Sequence, residues 1–281
     1  MMNECSDKSG WLRGPTNCDR ATAYWDATAK EWLETRPQSL WRCHSDALLR
    51  RLLTRWLPAD CGRLLKTDLF DEAVGEGVLD ILAERAAETH GIDMSPAIVE
   101  AVRTRPCSLV ATVADARALP YDTNSFDCIV SPSTLDHFER ADDIYVALSE
   151  LRRVLRPGGV MILTLDNPAN PVVGLRQILP NEPLRRMGVV PYFCGATLTP
   201  GALASAVEEQ GFRVREQTSV THSPRVLAVA AARLLQRSGA TPSSRSGQWF
   251  LNGLMAFEHL ERLPTRWLTG HFTAIRAEAR H

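Results

Sequence analysis

The chain has 281 residues, of which 44% are hydrophobic and 23% are charged, a balance typical of a folded globular protein. Its 32 Lys and Arg residues almost balance 33 Asp and Glu residues, so no overall basic field would attract nucleic acid or an anionic membrane. No apolar run approaches the roughly 20 residues that span a bilayer. The seven cysteines are scattered and form no Cys-x-x-Cys pair, which favours reduced thiols in a cytoplasmic protein over a disulfide framework or a metal site.

The first 58 residues precede the regular part of the pattern. Residues 1–20 are polar and turn-rich, and we expect a loose arm. A short amphipathic helix is predicted over 22–34, and a second helix is predicted from Ser45 as its N-cap to a stop at Pro58. Residues 1–58 are therefore interpreted as an N-terminal arm and helical cap.

From Arg63 onward, apolar runs alternate with amphipathic stretches. Strands are predicted at 63–70, 88–93, 109–114, 126–131 and 159–166. Helices are predicted between them near 77–86, 96–104 and 141–156, the second with Ser95 as N-cap and Pro96 in its first turn. Such alternation predicts an α/β fold with a mostly parallel, doubly wound sheet.

The last third of the chain is less regular. Residues 167–198 are rich in Pro, Gly and Asn, after which Thr199-Pro200 begins a helix and Phe212 to Val220 forms a strand. Residues 224–264 are predicted to be helical in two pieces, and His271 to Ala277 to be a final strand. We expect a domain over 59–281 with cap insertions near 167–198 and 222–268.

Four motifs follow one another at the predicted ends of strands. They are Asp71-Glu-Ala-Val-Gly75-Glu-Gly77, Gly91-Ile-Asp93-Met-Ser-Pro, Ala114-Asp115-Ala-Arg-Ala-Leu-Pro120 and Ser125-Phe-Asp127-Cys-Ile-Val-Ser131. In this order they resemble the class I S-adenosylmethionine-dependent methyltransferases, in particular the small-molecule group related to ubiquinone-biosynthesis methylases. The resemblance covers residues 63–166 closely and 199–220 more loosely, and it implies a Rossmann-like sheet of seven strands.

The resemblance also assigns residues to the methyl donor, S-adenosylmethionine. Gly75 and Gly77 would let the backbone approach it, and Asp93 would accept the two ribose hydroxyls. Around the adenine the resemblance places Asp115, the backbone of Ala116, and Met94 as an apolar wall. Ser131 would lie beside the donor methyl group.

The first motif departs from the family pattern, which reads Asp-x-Gly-x-Gly-x-Gly. Ala73 stands where the family has its first glycine, and the preceding strand is polar for a buried parallel strand. Two registers remain open: the strand ends at Phe70 and Asp71 is the acid that meets the methionine amino group, or it ends near Thr67 and Asp68 has that role in a longer loop.

His137 follows the fourth strand, in a loop that borders the substrate in such folds, and it is the candidate general base. His222, Tyr192 and His259 lie in the presumed cap as candidates to face substrate. The predicted activity is methyl transfer to O, N or C of a small organic acceptor, with neither a metal nor a nucleic-acid partner. The oligomeric state stays open, with a homodimer as one option. A nicotinamide-dependent oxidoreductase and a non-catalytic S-adenosylmethionine-binding protein are the alternatives.

Overall fold

The computed structural model describes residues 18–35, 38–179, 183, 186, 190 and 192–281. Its strands are β1 (Cys61–Lys66), β2 (Ala86–Asp93), β3 (Val110–Val113), β4 (Phe126–Pro132), β5 (Leu155–Asp166), β6 (Phe212–Val220) and β7 (Phe272–Ala279). They form one sheet in the order β3-β2-β1-β4-β5-β7-β6, with β7 antiparallel to both of its neighbours. The prediction of a doubly wound, mostly parallel sheet of seven strands is confirmed.

The helices that precede β4 are α1 (Cys18–Thr35), α2 (Ser39–Trp56), α3 (Phe70–Val74), α4 (Leu79–Arg85) and α5 (Pro96–Arg103). Those that follow it are α6 (Ala141–Val154), α7 (Pro171–Ile178), α8 (Pro200–Glu209), α9 (Arg225–Arg237), α10 (Arg245–Ala256) and α11 (Arg266–Thr269). Short 3-10 turns at Leu135–His137 and Phe257–Arg262 complete the described elements.

Hydrophobic clusters lie against the sheet. One joins α6 and α8 to β4, β5 and β7 through fully buried residues such as Leu151, Leu203 and Ile275. A second joins α2 and α4 to β1 and β4 through Leu53, Leu82 and Val130. At about 25 cal/mol per Å² of buried apolar surface, this packing is the main stabilising contribution to the sheet.

The predicted start of α5 is confirmed, because the Ser95 hydroxyl accepts a hydrogen bond from the Ile98 amide and Pro96 occupies the first turn. The prediction for α2 is wrong at its start. That helix begins at Ser39, and Ser45 lies inside it. The helix has an additional first turn, which buries Trp41 (6% of its surface exposed) beside the other apolar side chains of α2. A helix that began at Ser45 would lack this turn.

The predicted first strand, 63–70, is also wrong at its carboxyl end, since β1 ends at Lys66 and α3 begins at Phe70. This end agrees with the second of the two registers, in which the strand ends near Thr67 and the loop after it is longer. The physical reason is the ion pair of Lys66 with Glu72 of α3. Because Glu72 must reach Lys66, the chain leaves the sheet after Lys66.

Candidate functional site

A cavity of about 720 Å³ lies along the edge of the sheet at which the parallel strands end. Open α/β sheets bind their ligands at this edge. The strand ends contribute Thr67, Asp68, Asp93, Met94, Ala114, Pro132 and Thr164 to its wall. Helices α1 and α2 cover it with side chains that include Trp25, Trp32, Trp41 and Leu48.

The covering helices are fastened by acidic side chains. Asp26 of α1 accepts hydrogen bonds from the Ser95 hydroxyl (2.8 Å) and from the Ala97 amide (2.9 Å), at the first turn of α5. Asp46 of α2 accepts one from the Gly77 amide (3.2 Å). Each helix is therefore attached to a segment that follows a strand of the cavity wall.

A buried ion pair shapes the turn after β1. Lys66 has 1% of its surface exposed and Glu72 has none, and their Nζ and Oε2 atoms lie 2.7 Å apart. The same ammonium group donates a hydrogen bond to the carbonyl oxygen of Asp68. The other oxygen of Glu72 accepts a hydrogen bond from the Val78 amide (3.2 Å). The pair therefore fixes both ends of the loop by side-chain contacts.

Three carboxyl groups from this loop and from β2 line the cavity: Asp68, Asp71 and Asp93. Burial and the neighbouring acids raise the pKa of Asp71 to about 8 and that of Asp93 to about 7, and burial also raises the pKa of Asp68. Lys66, already paired with Glu72, is the ammonium group that acts against these shifts. This end of the cavity is therefore suited to a positively charged ligand.

Asp93 is held in a fixed orientation. Its Oδ2 accepts a hydrogen bond from the Leu69 amide (3.1 Å), and its Oδ1 accepts one from the Ser95 amide (2.8 Å). Each carboxylate oxygen has more than one lone pair, so the group retains acceptor capacity toward the cavity.

Hydroxyl groups connect β1 to β4, the neighbours between which the strand order reverses. The Thr67 hydroxyl donates to Ser131 Oγ (2.9 Å) and lies 2.7 Å from Thr134 Oγ1. Thr67 and Thr134 face the cavity, whereas Ser131 is fully buried beneath them. The polar surface at this point therefore comes from two threonines.

His137 packs among aromatic side chains that line the same cavity as these threonines. Its ring centroid lies 4.6 Å from that of Trp25 and 5.5 Å from that of Tyr192, which also contacts Trp32 and Phe70. Among the described residues, Nδ1 of His137 has no hydrogen-bond partner. Burial raises the pKa of Tyr192.

The cavity wall contains six of the eleven predicted site residues: Asp68, Asp71, Asp93, Met94, Ala116 and His137. Both candidate acids of the first loop, Asp68 and Asp71, are among them. Of the candidates in the predicted cap, Tyr192 lines the cavity, whereas His222 and His259 do not.

The other five, Ala73, Gly75, Gly77, Asp115 and Ser131, lie outside this wall. Gly77 has φ +65° and packs on Glu72, so its freedom serves the loop. The Asp115 carboxylate is 2.6 Å from Nη2 of Arg117, and the Arg117 side chain reaches the cavity. Their predicted contacts with the donor stay predictions.

Several wall residues were missed by the sequence analysis, including Thr67, Thr134, Arg117, Phe272 and Arg225. Thr67 had a signal in the sequence, namely a polar residue at the end of a buried strand. Arg225 and Phe272 had none, because they are distant in the sequence and the Arg225 guanidinium lies over the Phe272 ring only in the folded chain.

Comparison with known proteins identifies the central part of the chain. Residues 54–163 match the family model described as a methyltransferase domain. The chain is 37% identical over 87 residues to a malonyl-[acyl-carrier protein] O-methyltransferase of Halorhodospira halophila, covering 30% of this chain and 28% of that protein. It is 34% identical over 121 residues to a demethylmenaquinone methyltransferase of Staphylococcus aureus, covering 40% and 49%. Each match spans less than half of the relative.

Among solved structures, the methyltransferase in complex with the Trm112 activator of Haloferax volcanii superposes with a TM-score of 0.58. It is 16% identical and covers 92% of this chain and 97% of its own, which supports the fold alone. The predicted family is confirmed: residues 54–163 are a class I S-adenosylmethionine-dependent methyltransferase domain. No described helix has both the length and the apolar character needed to cross a bilayer.

Proposed function

We propose that this protein, whose residues 54–163 form an S-adenosylmethionine-dependent methyltransferase domain, transfers a methyl group from that donor to O, N or C of a small organic acceptor. The observation that carries the proposal is the set of three carboxyl groups, Asp68, Asp71 and Asp93, along one wall of the 720 Å³ cavity.

The residues present fit the donor. Its sulfonium and α-amino groups are cationic, and the two acids after β1 supply the opposite charge. Asp93 would accept the ribose hydroxyls, while Met94 and Ala116 would flank the adenine. These assignments need no glycine-rich loop, because the turn after β1 is already fixed by Lys66 and Glu72.

When bound, S-adenosylmethionine supplies a methyl group on a positively charged sulfur, which keeps the electron pair of the carbon–sulfur bond when a lone pair of the acceptor attacks. The residues around the cavity orient the reactants and exclude water, and such alignment accounts for much of the acceleration in reactions of this kind. Thr67 and Thr134 would position the acceptor at the reversal point of the sheet. Trp25 and Trp32 would close the cavity from above.

We propose His137 as the group that takes the proton released by the acceptor, because its imidazole lines the cavity and packs on Trp25 and Tyr192. With an acceptor identified by transfer of a labelled methyl group, His137→Gln should lower kcat about 100-fold. Its affinity for S-adenosylhomocysteine should stay within about twofold. A kcat equal to that of the unaltered protein would exclude this role.

We also propose that residues 1–58 and the insertions near 167–198 and 222–268 form the cap. Support comes from α1 and α2, which cover the cavity, and from Arg225 of α9, which lines it. None of the described residues of 167–179 lines it. The scattered cysteines, which form no Cys-x-x-Cys pair in the sequence, support a cytoplasmic location.

The proposed function is tested by calorimetric titration with S-adenosylhomocysteine and with NAD. The donor product should bind, and NAD should not, because the carboxyl groups that line the cavity would repel its pyrophosphate. In addition, Asp80 pairs with Arg50 (2.6 Å) where a dinucleotide fold has its third glycine. Binding of NAD alone would refute the proposal. Donor binding with no labelled methyl transferred to any component of a cell extract would identify the non-catalytic binding protein.

A further inference from the structure

The cavity has a second end, which the donor assignment leaves without a role. It lies where β5, β6 and β7 meet, four strand positions from β2, or about 19 Å at about 4.8 Å per strand. Its wall is apolar, with Leu48, Leu49, Leu52, Trp41, Val220 and Phe272. An apolar body at this end would therefore be enclosed by α2 and by the beginning of β7.

One cationic side chain lines this apolar end. The Arg225 guanidinium lies over the rings of Trp41 and Phe272, at 5.9 Å and 5.8 Å from their centroids. Its Nη1 donates a hydrogen bond to Nε2 of His271 (2.8 Å), and burial lowers the pKa of His271 to about 3, so that ring is neutral. Within the described ranges Arg225 forms no ion pair, and its remaining N–H groups can donate to a ligand.

The charges behind Arg225 leave it available to an anion. The nearby acid at the end of β5, Asp166, is paired with the buried Arg176. Burial opposes ionisation of Asp166, but the guanidinium groups of Arg176 and Arg225 hold its pKa below the usual value. A second buried acid, Asp136, accepts a hydrogen bond from the Asp166 amide and also acts on Arg176, so both acids lie on the Arg176 side and Arg225 is the guanidinium that faces the cavity.

We propose that the acceptor is an apolar molecule bearing a carboxylate or phosphate, with that group bound by Arg225 and its apolar body packed between α2 and Phe272. The inference rests on the proposed function, because it assigns the acceptor of the same site. It follows from the two ends of the cavity, one lined by carboxyl groups and one by a guanidinium. A fork of N–H donors binds the planar pair of oxygens of a carboxylate at two points.

The test uses three probes with one apolar body: 2-naphthoate, 2-naphthyl phosphate and the neutral 2-naphthamide. Each is titrated into the full chain saturated with S-adenosylhomocysteine, and heat of binding is measured. At least one anionic probe should bind about tenfold or more tightly than the amide. The stronger of the two identifies the anionic group.

The variants are Arg225→Gln, Arg225→Lys and, as a matched control, Arg233→Gln, which removes the same charge from an exposed position of the same helix. Arg225→Gln should weaken the anionic probe about tenfold and leave the amide and the donor product unchanged. Arg225→Lys should recover part of the loss, and the control should change nothing.

Equal affinity for anionic and neutral probes, no binding of either anion, or an equal loss for all probes in Arg225→Gln would overturn this inference. Failure of the proposed function would give a different result, because S-adenosylhomocysteine itself would then not bind in the initial titration.

Discussion

Replacing Asp71 with Asn should abolish a large part of the pH dependence of stability between pH 6 and pH 8. The pKa of Asp71 is about 8 in the folded protein, raised by burial and by Asp46, Glu72 and Asp68, against about 3.9 for an unperturbed Asp. Because the folded pKa is the higher one, the folded state holds the proton and gains stability at low pH. That stability is lost as the pH rises through 8.

The magnitude follows from the two pKa values. Above pH 5 the unfolded side chain is ionised, so the contribution of Asp71 falls by about 2 kcal/mol between pH 6 and pH 8. Asn has the shape of the protonated acid and no charge to bury. The difference in free energy of unfolding between the unaltered protein and Asp71→Asn should therefore change by about that amount, with the variant gaining relative stability at pH 8.

The assay is urea unfolding at pH 6, 7 and 8 for the unaltered protein, for Asp71→Asn and for Glu100→Gln, which changes an exposed acid of α5. Comparison at each pH cancels the contributions of buried His44 and His271, whose pKa values are lowered by burial. A constant difference between the unaltered protein and Asp71→Asn would refute the reasoning. So would an equal pH response from Glu100→Gln.

Three further changes test other parts of the site. Asp93→Asn should weaken S-adenosylhomocysteine about tenfold or more in calorimetry, and an equal Kd would contradict the ribose assignment. Because Asn accepts through one oxygen only, the Leu69 or the Ser95 amide loses its acceptor, and urea unfolding at pH 6 should show a loss of about 1–3 kcal/mol. Lys66→Met leaves Glu72 buried without its partner and should lower the free energy of unfolding in urea by about 3–5 kcal/mol. The double variant Lys66→Met/Glu72→Gln should restore part of this loss. If the losses of the two single variants simply add in the double variant, the pair does not stabilise the protein. Gly195→Ala places a methyl group against the Phe138 carbonyl and should lower the free energy of unfolding by about 1–3 kcal/mol. Gly201→Ala adds its methyl group in open space on α8 and should leave the stability unchanged or raise it. Equal effects of the two substitutions would contradict this packing.

The sequence predicted those parts of the molecule that depend on local pattern. The alternation of strands and helices identified the sheet, the range Phe212–Val220 of β6 matches its prediction, and the Ser95-Pro96 start of α5 is confirmed. Asp93 and Met94 reach the cavity because a residue at the end of a parallel strand is placed by that strand. These inferences needed no knowledge of distant contacts.

The rest depends on contacts between distant parts of the chain. The end of β1 is set by the ion pair of Lys66 with Glu72, and a family pattern built on glycines gives no sign of it. Likewise, the Asp115 carboxylate pairs with Arg117, and Arg225, which lines the cavity, is hydrogen-bonded to the distant His271. No spacing in the sequence encodes these contacts, so the end of the cavity that Arg225 lines could not be predicted from the sequence.

In the proposed reaction, the carboxyl groups of Asp68, Asp71 and Asp93 would have a consequence for turnover. Methyl transfer converts a sulfonium into a neutral thioether, so these acids would then face one positive charge fewer than before. The mutual repulsion of the carboxylates would then favour replacement of S-adenosylhomocysteine by S-adenosylmethionine, or uptake of a proton by Asp71. A site of this kind discriminates between cosubstrate and by-product by electrostatics alone, and it would resist inhibition by the by-product more as the solution becomes more alkaline.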